Sequence, residues 1–258
     1  MTLPEQMTNR WARRRDPGPR EQTLYWHVLM RDYPDVGDLA QEAQDRLSPF
    51  GGLRMTPLDC LHMTTLVAGP AERFSQAQRE HMIQTASDQL ADVPPITVSL
   101  GKIVYHPEAI LFAVTPAAAL APLRSAALAA TRATGHDATG QDEEWRPHVT
   151  LCYSTSDQPA RPIIDALGMI LPERTITVRR LSLVIQTGSE LAWDWTVVGT
   201  ADLGASRICL ASDQGGSSPL PDYPASAGTR RERFASPPAM ACGHSRLNPA
   251  ESRRDGGS

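Results

Sequence analysis

Between residues 21 and 203 the order strand, helix, strand occurs twice, and in each half the later strand carries a histidine two positions before a threonine. Thr23 to Met30 (TLYWHVLM) is rich in β-formers and reads as a strand. Pro34 to Leu47 reads as a helix ending before Pro49, and Leu61 to Val67 as a strand stopped by Gly69 and Pro70. Ser75 then has the character of an N-cap, Gln78 completes a capping-box spacing, and Ile83, Ala86 and Leu90 share a helical face. In the second half Ile96 to Tyr105 and Ala109 to Thr115 read as strands joined by a turn at His106-Pro107. A helix follows, with Leu120, Leu123, Ala127, Ala130 and Ala133 at helical spacing and Gly135 as its stop. The strand His148 to Tyr153, a short helix near Ile163 to Leu167, and strands at Ile176 to Gln186 and Trp193 to Thr200 complete the pattern. The expectation is an α+β fold with internal duplication.

Composition bounds the function classes. Apolar residues are 41% and charged residues 21% of 258, an ordinary balance for a folded chain of one large or two small domains. The net charge of −4 excludes a strongly basic nucleic-acid coat protein. Residues 1 to 20 carry +3 and residues 204 to 258 carry +2, which leaves −9 on residues 21 to 203. No apolar run has the length of a membrane span, and MTLPEQMTNRWARRR lacks the continuous apolar core of a secretory signal, so a cytoplasmic protein is expected. Cys60, Cys152, Cys209 and Cys242 stand far apart with no metal-ligand spacing, so reduced thiols and no metal are expected. Glycine, proline and serine fill 22 of the 55 positions from Gly204 onward, which reads as a disordered tail. Residues 1 to 20, with arginines at 13 to 15 and then Pro17 and Pro19, read as a flexible N-terminal segment, leaving 21 to 203 as the folded unit.

The histidine strands carry the chemistry. In a strand, residues i and i+2 point the same way. His62 therefore shares a face with Thr64, and His148 with Thr150, while Met63 and Val149 point into packing. The two triplets lie 86 residues apart, about half the folded unit. Two imidazoles and two hydroxyls can cleave a phosphodiester without metal. One histidine takes a proton from the attacking water, and the other protonates the departing oxygen. The threonine hydroxyls can hold non-bridging phosphate oxygens and keep phosphorus in line.

With these motifs the chain resembles the 2H phosphoesterase superfamily, and within it the bacterial 2′-5′ RNA ligase-like (LigT-like) proteins. The segment WRPHVTLCYS, Trp145 to Ser154, is similar to that family's second motif, and LHMTTL, Leu61 to Leu66, stands where the first belongs. The likeness runs from about Thr23 to Leu203. It implies a bilobal, duplicated fold with two antiparallel sheets around a central cleft and helices outside. It also implies opening of 2′,3′-cyclic phosphates, hydrolysis of related cyclic nucleotides, or reversible 2′-5′ joining of RNA ends. His62 and His148 are then the catalytic pair, and Thr64 and Thr150 the phosphate contacts. The implied partners are RNA ends or small cyclic nucleotides, with no cofactor, no metal, no membrane and a monomeric chain. A departure is Thr65, where the family has an apolar residue; it should face away from the cleft and affect packing.

Other residues weigh less. Arg146 adjoins the second motif and can neutralise phosphate charge, although Pro147 disturbs the alternation there and a surface arginine is an equal reading. Tyr153, Tyr105, Trp145 and Trp26 can stack on a base, but packing is the commoner role. Arg146 and Tyr153 stand as candidate substrate contacts. His27 reads as a satisfied strand histidine, and His81, His106, His136 and His244 have no partner at a useful spacing. No phosphate-cradling glycine loop, nucleophile elbow or HExxH occurs, which removes the usual NTPase, α/β-hydrolase and zinc-protease readings. The rival to an enzyme is a non-catalytic RNA-end or nucleotide-binding protein that uses the same cleft.

Overall fold

The structure, a computed structural model, describes residues 2–12, 17–138 and 145–205. Its strands are β1 (Gln6–Met7), β2 (Gln22–Leu29), β3 (Leu53–Met55) and β4 (His62–Pro70) in the first half. Those in the second are β5 (Ile96–His106), β6 (Ala109–Ala113), β7 (His148–Ser154), β8 (Gln158–Pro159), β9 (Ile170–Val178), β10 (Arg180–Thr187) and β11 (Trp195–Asp202). The helices are α1 (Pro34–Leu47), α2 (Gln76–Leu90), α3 (Ala121–Arg132) and α4 (Arg161–Leu167). The strands form a four-stranded sheet in the order β11-β10-β2-β4 and a five-stranded sheet in the order β3-β7-β6-β5-β9, each antiparallel throughout. This is the expected α+β architecture of two antiparallel sheets.

Local chemistry explains the helices. α1 starts on a proline and carries Asp35 in its first turn and Arg46 in its last, both favourable to the helix dipole. Its Val36, Leu39, Ala40, Ala43 and Leu47 recur every three or four residues and are all buried. α2 opens with the expected capping box: the Gln78 N–H donates to Ser75 Oγ, and the Ser75 N–H donates to Gln78 Oε1 at 2.9 Å. Beyond α3, Gly135 adopts φ +80°, the left-handed turn that glycine takes at least cost.

Two helices cross between the sheets. β2 and β4 pair side by side in the four-stranded sheet, yet α1, which follows β2, packs with α4 against β7 and β9 of the other sheet. Conversely α3, which connects β6 to β7 of the five-stranded sheet, packs against β4 and α2. Each sheet thus receives a helix that follows a strand of the other, and the two motif strands β4 and β7 come into contact.

Two expectations need correction. Ile176 to Gln186 is not one strand: β9 ends in the five-stranded sheet, the chain crosses at Arg179, and β10 begins in the four-stranded sheet. β9 buries Ile176 and Val178 while β10 buries Leu181 to Val184, so the alternation shifts at the exposed pair Arg179 and Arg180, where the pairing partners also change. The expectation of a flexible segment over residues 1–20 also differs from the structure for residues 2–12. β1 pairs with β8, Met7 is fully buried, and the Ala160 N–H donates to the Glu5 carbonyl at 3.0 Å. A two-residue strand has no readable period, so its docking is invisible locally. The tail expected over 204–258 lies, from residue 206, outside the described residues. Among the described residues, no helix is long and apolar enough to cross a membrane.

Candidate active site

β4 and β7 present the two motifs in matching ways. Met63 and Val149 are fully buried, as alternation requires, while His62, Thr64, His148 and Thr150 all line one cavity of about 280 Å³. The alternation then breaks at the same place in both strands. The β2–β4 register steps from Trp26↔Leu66 to His27↔Thr64, leaving Thr65 as an extra residue. The β6–β7 register steps from Ile110↔Cys152 to Leu111↔Thr150, leaving Leu151. A bulge of one residue inverts the facing of everything beyond it. Val67 and Tyr153, each five residues after its histidine, would face away from the cleft in a regular strand, and the bulges turn both into the cavity wall.

The exchanged helices hold the bulges. The Thr65 carbonyl accepts a bond from Arg124 Nη1 of α3 at 3.2 Å. The Leu151 carbonyl accepts from Gln44 Nε2 of α1 at 3.1 Å and from the Thr56 N–H at 2.9 Å. Trp145, just before the second motif, reaches across to donate from Nε1 to the Thr64 carbonyl at 3.0 Å, and the Arg124 guanidinium lies 5.5 Å from its ring centroid. Bulged backbone carbonyls, which lack a ladder partner, thereby keep hydrogen bonds.

Both imidazoles are held alike. His62 Nδ1 bonds the Cys60 carbonyl at 2.9 Å, and His148 Nδ1 bonds the Arg146 carbonyl at 2.7 Å. A carbonyl only accepts, so Nδ1 carries the proton in each ring, and Nε2 is the nitrogen left for the cavity. Both rings are half-buried. Burial pushes His62 down to about 4, with the Cys60 carbonyl opposing the depression and His148 adding to it.

His27 belongs to this site, contrary to its reading as a satisfied strand histidine. Its ring lies 4.4 Å from that of His62 and 5.6 Å from that of Trp195, and it lines the same cavity. Neither ring nitrogen has a protein partner, and burial holds the imidazole well below its usual pKa, hence neutral. Alternation does place Tyr25 and His27 on one face of β2, but only the pairing of β2 with β4 identifies that face as the cleft.

The candidate contacts resolve differently. The Arg146 side chain is exposed and not part of the cavity wall; its backbone carbonyl is what serves the site, by orienting His148. Tyr153 lines the cavity, but its ring is buried against protein. The Arg10 guanidinium lies 4.4 Å from the ring centroid, and Trp193 stacks with it at 6.1 Å and 20°. It is therefore part of the wall and not a platform for a base. Trp26 and Tyr105 are core residues, as expected, bonded to Thr131 Oγ1 and to the Gly168 carbonyl. Sequence reasoning missed Arg10, Glu190 and Trp193, all three in the cavity wall. Trp193 sits at φ +51°, an uncommon conformation for a bulky residue. A larger cavity of about 480 Å³, between residues 32–35 and 175–180, contains none of these groups. Among the described residues no cluster of three or more His, Cys, Asp or Glu is arranged to hold a metal ion.

Two antiparallel sheets meeting at a pair of histidine–threonine strands define a two-histidine phosphoesterase of the LigT-like type. Residues 34–190 match the family model of the 2′-5′ RNA ligase superfamily, and the chain belongs to that superfamily. Among solved structures it is similar in fold to TT0787 of Thermus thermophilus, with 18% identity, a TM-score of 0.54, and 70% of this chain and 98% of that one covered. It is similar also to E. coli LigT complexed with 3′-AMP, with 15% identity, a TM-score of 0.52, and 71% and 98% covered. No curated protein matches the sequence significantly.

Proposed function

We propose that the cavity opens 2′,3′-cyclic phosphates, at RNA ends or in small cyclic nucleotides, to 2′-monophosphates without a metal ion. The observation that carries this reading is the equivalent fixing of both imidazoles, each with Nδ1–H on a backbone carbonyl and Nε2 left for one shared cavity. With phosphorus between them, His62 is the base, because its depressed pKa keeps the Nε2 lone pair free at neutral pH. It takes a proton from water as the water oxygen bonds to phosphorus. The P–O3′ bond breaks in line, and His148 as the acid gives a proton from Nε2 to the departing oxygen. Thr64 and Thr150 donate hydroxyl hydrogens to the non-bridging oxygens and stabilise the charge that builds there. With a ribose 5′-hydroxyl in place of the attacking water, the same forward step breaks P–O3′ and forms a 2′-5′ linkage, and its reversal cleaves that linkage.

The similar fold of E. coli LigT complexed with 3′-AMP supports a nucleotide as the occupant. Cys60 and Cys152, buried and held as thiols, fit a reducing, cytoplasmic setting. The test is incubation with a 2′,3′-cyclic nucleotide and a chelator. The expected result is the 2′-monophosphate, lost in His62→Ala and His148→Ala. Tight binding with no turnover by the wild type would favour the non-catalytic nucleotide-binding reading. Turnover abolished by chelator, restored by a divalent ion and retained in the histidine variants would overturn the chemistry.

A further inference from the structure

Arg10 enters the cavity from a stretch of chain outside the family match. Its side chain is 14% exposed and grips Glu190 through two bonds, Nε to Oε2 at 2.8 Å and Nη2 to Oε1 at 3.1 Å. Its Nη1 stands 3.6 Å from a carboxylate oxygen of Glu108. The backbone leading to Arg10 is held by the Thr8 N–H on the Pro107 carbonyl at 2.7 Å and the Asn9 N–H on Asp157 Oδ1 at 2.8 Å. Arg10 and Glu190 line the cavity together with both histidines and both threonines.

A phosphate site built for affinity alone presents cations that are not already engaged by carboxylates. Here the guanidinium is already engaged by carboxylates: Glu190 holds it bidentately in the cavity wall, and Glu108 stands 3.6 Å away. Such a wall treats substrate and product differently. A cyclic phosphodiester carries one negative charge, whereas the monoester formed from it carries about −1.5 to −2 near pH 7. The repulsion from Glu190 grows with that charge, and Arg10, held bidentately, offsets only part of it.

We propose that the Arg10–Glu190 pair sets the charge specificity of the cavity: it accepts a monoanionic phosphodiester and disfavours a dianionic phosphomonoester, which favours product departure. The proposal rests on the phosphodiesterase reading above for its role in turnover, but not for the binding it predicts.

The experiment is calorimetric titration of the wild type and of Glu190→Gln with adenosine 2′,3′-cyclic phosphate and with adenosine 2′-monophosphate, near neutral pH and at low salt. Removing the carboxylate charge should tighten monophosphate binding about tenfold relative to the cyclic ester. Arg10→Met should shift the ratio of affinities the other way. In the wild type itself, rising sodium chloride should raise monophosphate affinity relative to the cyclic ester, because salt screens the larger repulsion more. A folded Glu190→Gln protein with an unchanged ratio overturns the proposal, as does a wild-type ratio that moves toward the cyclic ester with salt. A wild type that discriminates between the two ligands as expected yet hydrolyses neither would remove the phosphodiesterase reading and leave the charge specificity standing.

Discussion

Thr65→Val should make the protein more stable. Thr65 is the bulged residue of β4, it is fully buried, and its Oγ1 has no hydrogen-bond partner. A buried hydroxyl without a partner loses its bond to water on folding and regains nothing, a cost of about 1–3 kcal/mol. Valine has nearly the same shape and the same branching at Cβ, so it fills the site without a cavity and keeps the strand preference of threonine. The carbonyl that holds the bulge, bonded to Arg124, is backbone and survives the change. Allowing for imperfect packing of the new methyl, the gain should be about 1–2 kcal/mol, which for a domain of this size is about 3–6 °C in Tm. Urea titration with an unchanged slope, together with a calorimetric melt, measures it. A loss of stability of about 1 kcal/mol or more would show that the hydroxyl is bonded, and would refute the reasoning.

Other consequences are open to direct measurement. His62 has a folded pKa near 4 against an unfolded value near 6.5, so between those values the unfolded chain binds more protons. Stability should therefore be fully present above about pH 6.5 and fall by on the order of 2 kcal/mol as pH drops toward 4, a slope that His62→Gln should reduce in melts across that range. If His62 is the base, the acid limb of kcat/KM for a cyclic nucleotide should also lie low, toward pH 4. Alanine at His62 or His148 should each cost about 10² to 10⁴ in turnover, and the double variant less than the product of the two, read in single-turnover assays. Arg124→Leu should cost more activity than Gln44→Leu, because the Leu151 carbonyl keeps the Thr56 N–H when Gln44 is lost; kcat and urea stability of the two variants compare them.

Much of the site was legible because its signals are local. A histidine and a threonine two apart on a strand must share a face, whatever the strand pairs with, and Met63 and Val149 between them are buried for the same reason. The span of α1 and the capping box of α2 follow from chemistry within a few residues, and both stand in the structure as the sequence implies. The bulges at Thr65 and Leu151 are another matter. A bulge is a mismatch between two strands, so it exists only once β2 is laid against β4 and β6 against β7, and it reverses every facing inferred beyond it.

For the same reason alternation from His148 faces Tyr153 away from the cleft, and only the bulge at Leu151 brings its ring into the wall beside Arg10 and Trp193, which come from distant parts of the chain. His27 is the sharpest case. Its own strand marks it as half of an alternating pair with Tyr25, and nothing nearby distinguishes a core face from a cleft face. Its place beneath His62, its unpartnered nitrogens and its neutrality arise from burial by Trp195 and β4, contacts made across 35 and more residues of sequence. Periodicity determines which side chains of one element travel together. Only the packing of elements against one another decides which solvent they meet, and so what their titrating groups can do.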